Sequence, residues 1–304
     1  MPKKFKRIKA AKNDFNEDFL PSNRKEVFFD ILKIRFLDLL KIGVVVFLFF
    51  IPIMLVHGFE HEILLNLYIK YNGFVENNAS EEAIKVLYDI AGITNIKNLI
   101  QIPCLIIFAI GLSGIFRVIK KMVWAEGVDI LQDFNIGVKQ NAKQFVLVGI
   151  IVGVVNFISQ YLSQVYLLNV NEYNSIAGSV VRIFPIVFFP MLLILLVGIS
   201  TYNDRFSKLL KISFYLYIKS VFKSILATVL IFSPVIILYV LEQIHLFIWA
   251  IGLLLVLIFI SPYMIMAALL YGFSVYHKFI NIDSYPELID KGIWRKNGKD
   301  SSIS

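Results

Sequence analysis

The sequence is poor in the groups that carry most protein chemistry. It has one cysteine in 304 residues, Cys104, set inside an apolar run. A disulfide within the chain is therefore excluded, and a lone thiol among apolar side chains reads as packing. The four histidines, His57, His61, His245 and His277, are scattered. No GxxxxGK(S/T) phosphate loop, no GxGxxG turn after a strand and no HExxH pair occurs, so the common signatures of nucleotide binding and zinc-dependent hydrolysis are missing. Charge is scarce too. Asp, Glu, Lys and Arg make up 17% of the chain.

What the chain has is apolar residues in long runs: 58% of it is hydrophobic, at a mean hydropathy of +0.74. Charge-free windows fall at 42–59, 98–116, 144–171, 183–203, 224–241 and 243–277. A spanning helix needs roughly 20 mostly apolar residues. The windows predict an all-α membrane protein of six spans, the last near 246–271. About forty residues, many of them charged, precede the first window, and no small-x-small site follows it. It is expected to stay as a span rather than to be cleaved as a signal peptide.

The basic residues set the threading. Residues 1–41 carry eleven Lys or Arg, and 117–143, 204–223 and 278–304 carry five each. Residues 60–97 carry three, and the remaining one is Arg182. An excess of Lys and Arg marks the cytoplasmic side, so both termini are expected inside. The expected layout is a basic cytoplasmic tail over 1–23, a membrane domain over 24–273 and a cytoplasmic tail over 274–304. Its one sizeable outer segment, 60–97, is expected to hold a short helix opening at Ser80 and ending at Gly92. The net charge of +8 belongs to the rim of this bundle, so anionic lipid headgroups are the expected partners besides the bilayer, and nucleic acid is not.

Amphipathic stretches precede the first, third and fifth windows. In 206–223, lysines at 208, 211, 219 and 223 lie opposite a stripe of Leu210, Phe214, Tyr217 and Val221. In 128–143, Leu131, Phe134, Val138 and Ala142 form the stripe. Residues 24–41 show a third, looser example. All three are expected as interfacial helices feeding into a span. The second and third align at an offset of 80, Phe134, Val138, Lys139 and Lys143 falling on Phe214, Ile218, Lys219 and Lys223. A three-fold repeat of interfacial helix, span out and span back is one reading; a general likeness among amphipathic entry helices is the other.

Polar groups inside the windows are few. Asn156, Ser159, Gln160, Ser163 and Gln164 stripe the outer half of the third window, and with Arg182 and Glu172 they define a candidate polar vestibule. Its plainer reading is hydrogen bonding between helices, with an arginine snorkelling outward. No relay of buried carboxylates exists, which argues against a proton-coupled pump. No Ser, Thr or Cys of the expected spans has a His or carboxylate one turn away, so no catalytic residue is assigned. His57 and His61, four apart beside Glu60 and Glu62, lack a third ligand and read as an interfacial cluster rather than a metal site. No cofactor is expected. Prolines at 52, 103, 185, 190, 234 and 262 suit kinks around a cavity and ordinary membrane helices equally.

Three stretches carry a family likeness: FFDILKIRFLDLLKIGVVVFLFFIP, then IP…GLSGIFRVIKKMVWAEGVDILQDFNIGVKQNAKQ, then the tail HKFINIDSYPELIDKG. Together they resemble the YesL-like group of uncharacterised bacterial membrane proteins. Members share a proline-bearing second span, an acidic residue after the basic exit (Glu126) and a DF…G.K.N.K helix. Asp133, Phe134, Gly137, Lys139, Asn141 and Lys143 occupy the positions of that helix. Ile102 stands where members often have glycine. The resemblance implies a bacterial plasma-membrane location and an accessory role beside carbohydrate ABC-type uptake systems. Trp124, expected at headgroup level, and these seven residues then form a candidate surface for docking ABC transporter subunits. The chain does not read as the ABC permease itself. AEGVDILQDFNIG lacks the paired alanines of an ATPase-docking loop, and 204–223 has no glycine. A transporter of a small or amphiphilic solute is the alternative function.

Overall fold

A computed structural model describes residues 20–77, 79–168, 172–242 and 246–294. Among these, every regular element is a helix. α1 (Arg24–Ile34) is capped by Asn23, whose side chain accepts the N–H groups of Lys25 and Glu26. A break at Arg35 separates it from α2 (Phe36–Glu76). α3 (Ser80–Val123), α4 (Ile130–Leu168) and α5 (Glu172–Thr201) follow, then the short α6 (Phe206–Lys219) and α7 (Val221–Glu242). α8 (Leu246–Leu255) passes through a π-helical turn at Val256–Ile260 into α9 (Ser261–Tyr276). A second π turn, His277–Asn281, leads to the tail.

Among the described residues, five helical stretches are long and apolar enough to cross a bilayer: Phe36–Glu76, Glu81–Val123, Ile130–Val165, Val221–Val240 and Trp249–Asn281. The fourth window lies on α5, whose described apolar part, Val187–Thr201, is shorter. The fold is that of an all-α membrane protein.

Two expectations about element boundaries are corrected. Residues 60–97 do not hold a short helix between loops. α2 runs 41 residues and α3 runs 44, about 60 Å and more at 1.5 Å per residue, roughly twice the hydrocarbon thickness. They form one helical hairpin, α2 ending at Glu76 and α3 starting at Ser80. Gly92 lies inside α3, where a Cβ would meet nothing within 4 Å. One glycine costs a helix only about 1 kcal/mol, too little to stop a strand of turns packed along α2. The stretch 128–143 is not a separate interfacial helix either, since α4 continues through it without a break.

The outer two amphipathic stretches are separate helices. Their breaks share a backbone shape: Arg35 at φ −113°, ψ 28° and Ser220 at φ −133°, ψ 25°. At the offset of 80, Ser220 corresponds to Gln140, which is helical. α6 has three faces rather than two. Leu209, Ser213, Leu216 and Tyr217 are buried in the bundle. Phe214 and Ile218, four residues apart, are exposed, and so is Phe222 at the start of α7. Lys208, Lys211 and Lys219 lie beyond them. Of the expected stripe, Tyr217 faces inward and Phe214 outward.

The tightest packing is at the basic end. Leu39 and Ile42 of α2, Ile115 and Ile119 of α3, Phe145 of α4, Ile194 of α5, Leu216 of α6 and Leu269 and Tyr276 of α9 are almost wholly buried. Here α2 meets the first π turn so closely that a Cβ on Gly43 would fall 1.8 Å from the carbonyl oxygen of Ile258. α7, in contrast, shows most of its apolar length to the surroundings, as a lipid-facing helix does.

Candidate functional site at the basic end of the bundle

The α3–α4 crossing is built on two glycines. A Cβ on Gly137 would lie 2.9 Å from the Gly114 Cα and 3.0 Å from the Ser113 carbonyl oxygen. The backbones touch because neither residue has a side chain. Phe134 fills the adjoining space: its ring lies where a Gly114 side chain would stand and reaches Phe49 of α2, 5.8 Å between centroids.

One turn before Gly137, Asp133 is buried at 4% exposure. It accepts two hydrogen bonds from Lys121 Nζ, both at 2.9 Å, and one from the Asp129 N–H at 3.0 Å. Arg117 Nε lies 3.9 Å away, and Arg117 donates to Gln140 Oε1 at 2.6 Å. Asp133 therefore ties the start of α4 to the end of α3 and accepts the N–H of Asp129 just before α4, while Asp129 Oδ1 accepts the Gln132 N–H, one of the first amides of α4.

α3 ends at the Trp124–Glu126 turn, where Ala125 adopts φ 54° and the Glu126 N–H donates to the Lys121 carbonyl. This turn is already occupied by the chain's own tail. Lys291 pairs with Glu126 at 2.8 Å and sits 3.9 Å from the centroid of the Trp124 ring. Lys120 Nζ lies 4.8 Å from the same centroid, and Phe273 of α9 stacks on Trp124 at 5.8 Å. Gly292, at φ 83°, packs on the last carbonyls of α3; a Cβ there would fall 2.0 Å from the Val123 oxygen. The N-terminal segment closes the clasp. Arg24 donates to the Lys291 carbonyl at 3.1 Å, and the Trp294 N–H to the Pro21 carbonyl at 2.8 Å.

The eight residues of the expected docking surface thus divide. Trp124 and Glu126 hold the tail; Asp133, Phe134 and Gly137 hold α4 on α3; Asn141 is half-buried on a cavity wall. Asp133 and Gly137 are buried and do not offer a surface, a correction that follows from the short α3–α4 approach. Lys139 and Lys143 remain exposed, and with Leu131 and Asn135 they recur every four residues along one outward stripe of α4. Leu131 is 76% exposed.

The cavity beside this stripe has a volume of about 340 Å³ and is lined by Lys120, Gln140, Asn141, Gln144 and residues 199–203. Only Asn141 among these was singled out by sequence. Lys120 reads like its neighbour Lys121; nothing in a run of two lysines says that one pairs with Asp133 while the other is buried. Next to the cavity, Tyr202, Tyr276 and Tyr285 pack ring on ring, and Tyr202 donates to Asn281 Oδ1. The Tyr285 hydroxyl donates to Asp204 Oδ2 at 3.1 Å. Lys208, 2.9 Å from the other Asp204 oxygen, holds that carboxyl below the usual range, with Tyr285 adding to the effect. Burial first, and then the Asp204 contact, push the Tyr285 hydroxyl up.

At the far end, Glu60 is buried between Lys97, at 3.1 Å, and His57, at 3.4 Å. His57 also lies 5.3 Å from the Trp249 ring. Of the expected vestibule, Asn156 and Gln160 are half-buried, and Ser159 donates to the Val181 carbonyl at 2.6 Å. Ser163 Oγ and Gln164 Oε1 are buried without a hydrogen-bond partner among the described residues. The Arg182 side chain lies outside the described residues, so its place beside them is open. No cluster of three metal-ligating side chains occurs among the described residues.

Comparisons of the chain with protein-family models, with curated proteins and with solved structures give no match.

Proposed function

We propose that this is a multi-pass membrane protein of six spans with both termini in the cytoplasm, and that it serves as an accessory component of a solute uptake system, docking a partner subunit at its basic end. The location is the bacterial plasma membrane. The charge distribution supports the orientation, and the likeness to the YesL-like group supports the partner class, subunits of a carbohydrate ABC-type system. The observation that carries the docking reading is the outward stripe Leu131, Asn135, Lys139 and Lys143. It combines an exposed leucine with two exposed lysines, on a helix pinned to α3 by Gly137 and Asp133. A rigid base under an exposed mixed surface is what a protein interface needs. The three faces of α6, core, apolar and basic, support its lying in the headgroup region against anionic lipid. They also favour a repeat in which the first and third units keep a separate interfacial helix.

The test is co-purification in mild detergent followed by mass spectrometry of bound proteins. Lys139→Glu with Lys143→Glu is expected to lose a permease or ATPase subunit that the wild type retains. An unchanged set of partners removes the docking surface.

The unpartnered Ser163 and Gln164 atoms beside Asn156 and Gln160 favour a second reading, a transporter whose solute enters from the outer side. Solute flux into proteoliposomes that falls on Gln164→Leu would support it; flux no greater than in empty vesicles would end it.

A further inference from the structure

A shallow groove runs between α1 and α9 on the rim of the basic end. Phe28, Ala267 and Leu270 give it an apolar floor, and Arg24, Lys25 and Ser274 also line it. The two kinds of lining are separated by depth. Ala267 stands seven residues before Ser274 on α9, about 10 Å deeper from the basic end. Arg24 belongs to the shallow end: its guanidinium lies 5.6 Å from the centroid of the Phe273 ring and donates to the Lys291 carbonyl. The groove therefore grades from apolar to cationic as it leaves the bundle.

Both charged residues of the lining are basic, and no acid lines it. Arg24 has five donors, and its one described hydrogen bond is the one to Lys291. Burial pushes its guanidinium below the ordinary value, and Asp290 offsets this only in part. Lys25 is exposed. Its neighbour Glu26 accepts hydrogen bonds at 2.7 Å from the Ser22 N–H and from Asn23 Nδ2, and Asp30 stands about 9 Å further along α1 than Arg24. Lys278, exposed four residues beyond Ser274, adds a cation on the same side. An anion at the shallow end would relieve a partly desolvated, under-compensated charge.

A soluble anion would suit the cations and leave the apolar floor unused. A zwitterionic lipid would bring its own ammonium up to Arg24 and Lys25. A phospholipid of net negative charge places chain and phosphate in the order of the lining. The volume of about 240 Å³ is below the roughly 300–1,000 Å³ of sites that enclose a small molecule. It suits one segment of a larger ligand whose remainder stays in the bilayer.

We propose that this groove holds one anionic phospholipid, a chain along Phe28, Ala267 and Leu270 and the phosphate on Arg24 and Lys25. The site is narrower than a general attraction of the basic rim for anionic lipid, since Lys33 on the same helix has no part in it. None of its residues belongs to the α4 stripe, so this assignment and the docking reading can each fail alone.

The test is native mass spectrometry of the full chain in mild detergent with phosphatidylglycerol or phosphatidylcholine. One phosphatidylglycerol is expected to be retained at concentrations that leave phosphatidylcholine unbound. Lys25→Glu should weaken retention roughly tenfold or more. Its side chain is exposed and an acid suits the first turn of a helix, so an unchanged helical spectrum is expected. Lys33→Glu makes the same change of net charge about 12 Å further along α1, beyond a Debye length, and should leave retention within about twofold. Ala267→Phe fills the floor without touching a charge and should also release the lipid. Glycerol 3-phosphate, which lacks the chains, should not compete. No retained lipid, equal retention of the two lipids, equal losses in Lys25→Glu and Lys33→Glu, or displacement by glycerol 3-phosphate overturns the proposal.

Discussion

Gly292 shows how much can rest on one missing side chain. Its φ of 83° suits glycine alone, and a Cβ would strike the Val123 oxygen. Gly292→Ala should therefore lift the tail from the Trp124 turn at a cost of about 1–3 kcal/mol. Trypsin should then cut after Lys291 faster than in the wild type; unchanged cleavage would mean that the clasp is not held there. Asp133 is the other single point of support. Asp133→Asn leaves Lys121 and Arg117 facing no charge. The expected loss is about 2–3 kcal/mol, below the ~3–5 of a fully buried pair because Lys121 keeps contact with water, and a lowered melting temperature reports it. Asp204 adds a pH dependence with a definite sign. Its folded-state value is held below the ordinary 3.8, so its contribution is present above about pH 4 and is lost as pH falls through the depressed value. The difference in melting temperature between wild type and Asp204→Asn should be constant from about pH 5 to 8 and shrink below about pH 4.

At the scale of elements, the helices were legible and their ends were not. Charge-free runs near spanning length mark apolar helices reliably, because a bilayer leaves backbone amides no partner outside a helix. Five of the six runs lie on helices whose described part is long and apolar enough to cross. The ends depend on contacts that a single helix does not announce. Ser80 starts a helix as expected, yet Gly92 does not end it, because α2 runs alongside. Phe134, Gly137 and Asp133 stood out as a pattern, but which of them face a neighbour is decided by Gly114, twenty-three positions before Gly137. Two glycines of α3 and α4 separate these effects. Gly137→Ala forces a Cβ against Arg117 Cβ, 2.8 Å away, and against the α3 backbone, and should cost about 1–3 kcal/mol. Gly92→Ala meets open space and should stabilise α3 by up to about 1 kcal/mol. Melting temperatures of the two variants check the contrast, and a Gly137→Ala protein as stable as wild type would deny the close crossing.

For the whole molecule, the basic end is where packing, the clasp of residues 21–24 on 291–294, the polar cavity and the exposed α4 stripe coincide. The far end is a long helical hairpin with its own Glu60–Lys97 pair. That concentration was only half visible in the sequence. The lysines mark a side of the membrane, but the use of Trp124 and Glu126 by the chain's own Lys291 joins residues more than 160 positions apart, which no local pattern reveals. What is left outward after that internal use is a narrower surface, Leu131, Asn135, Lys139 and Lys143, and the account assigns partner docking to it. Photo-crosslinking in living cells from a reactive residue at position 135 tests this most directly. The account predicts an adduct with a permease or ATPase subunit of an uptake system, lost when Lys139 and Lys143 are both changed to Glu. Adducts to lipid alone, or a protein adduct indifferent to the charge reversal, would contradict it.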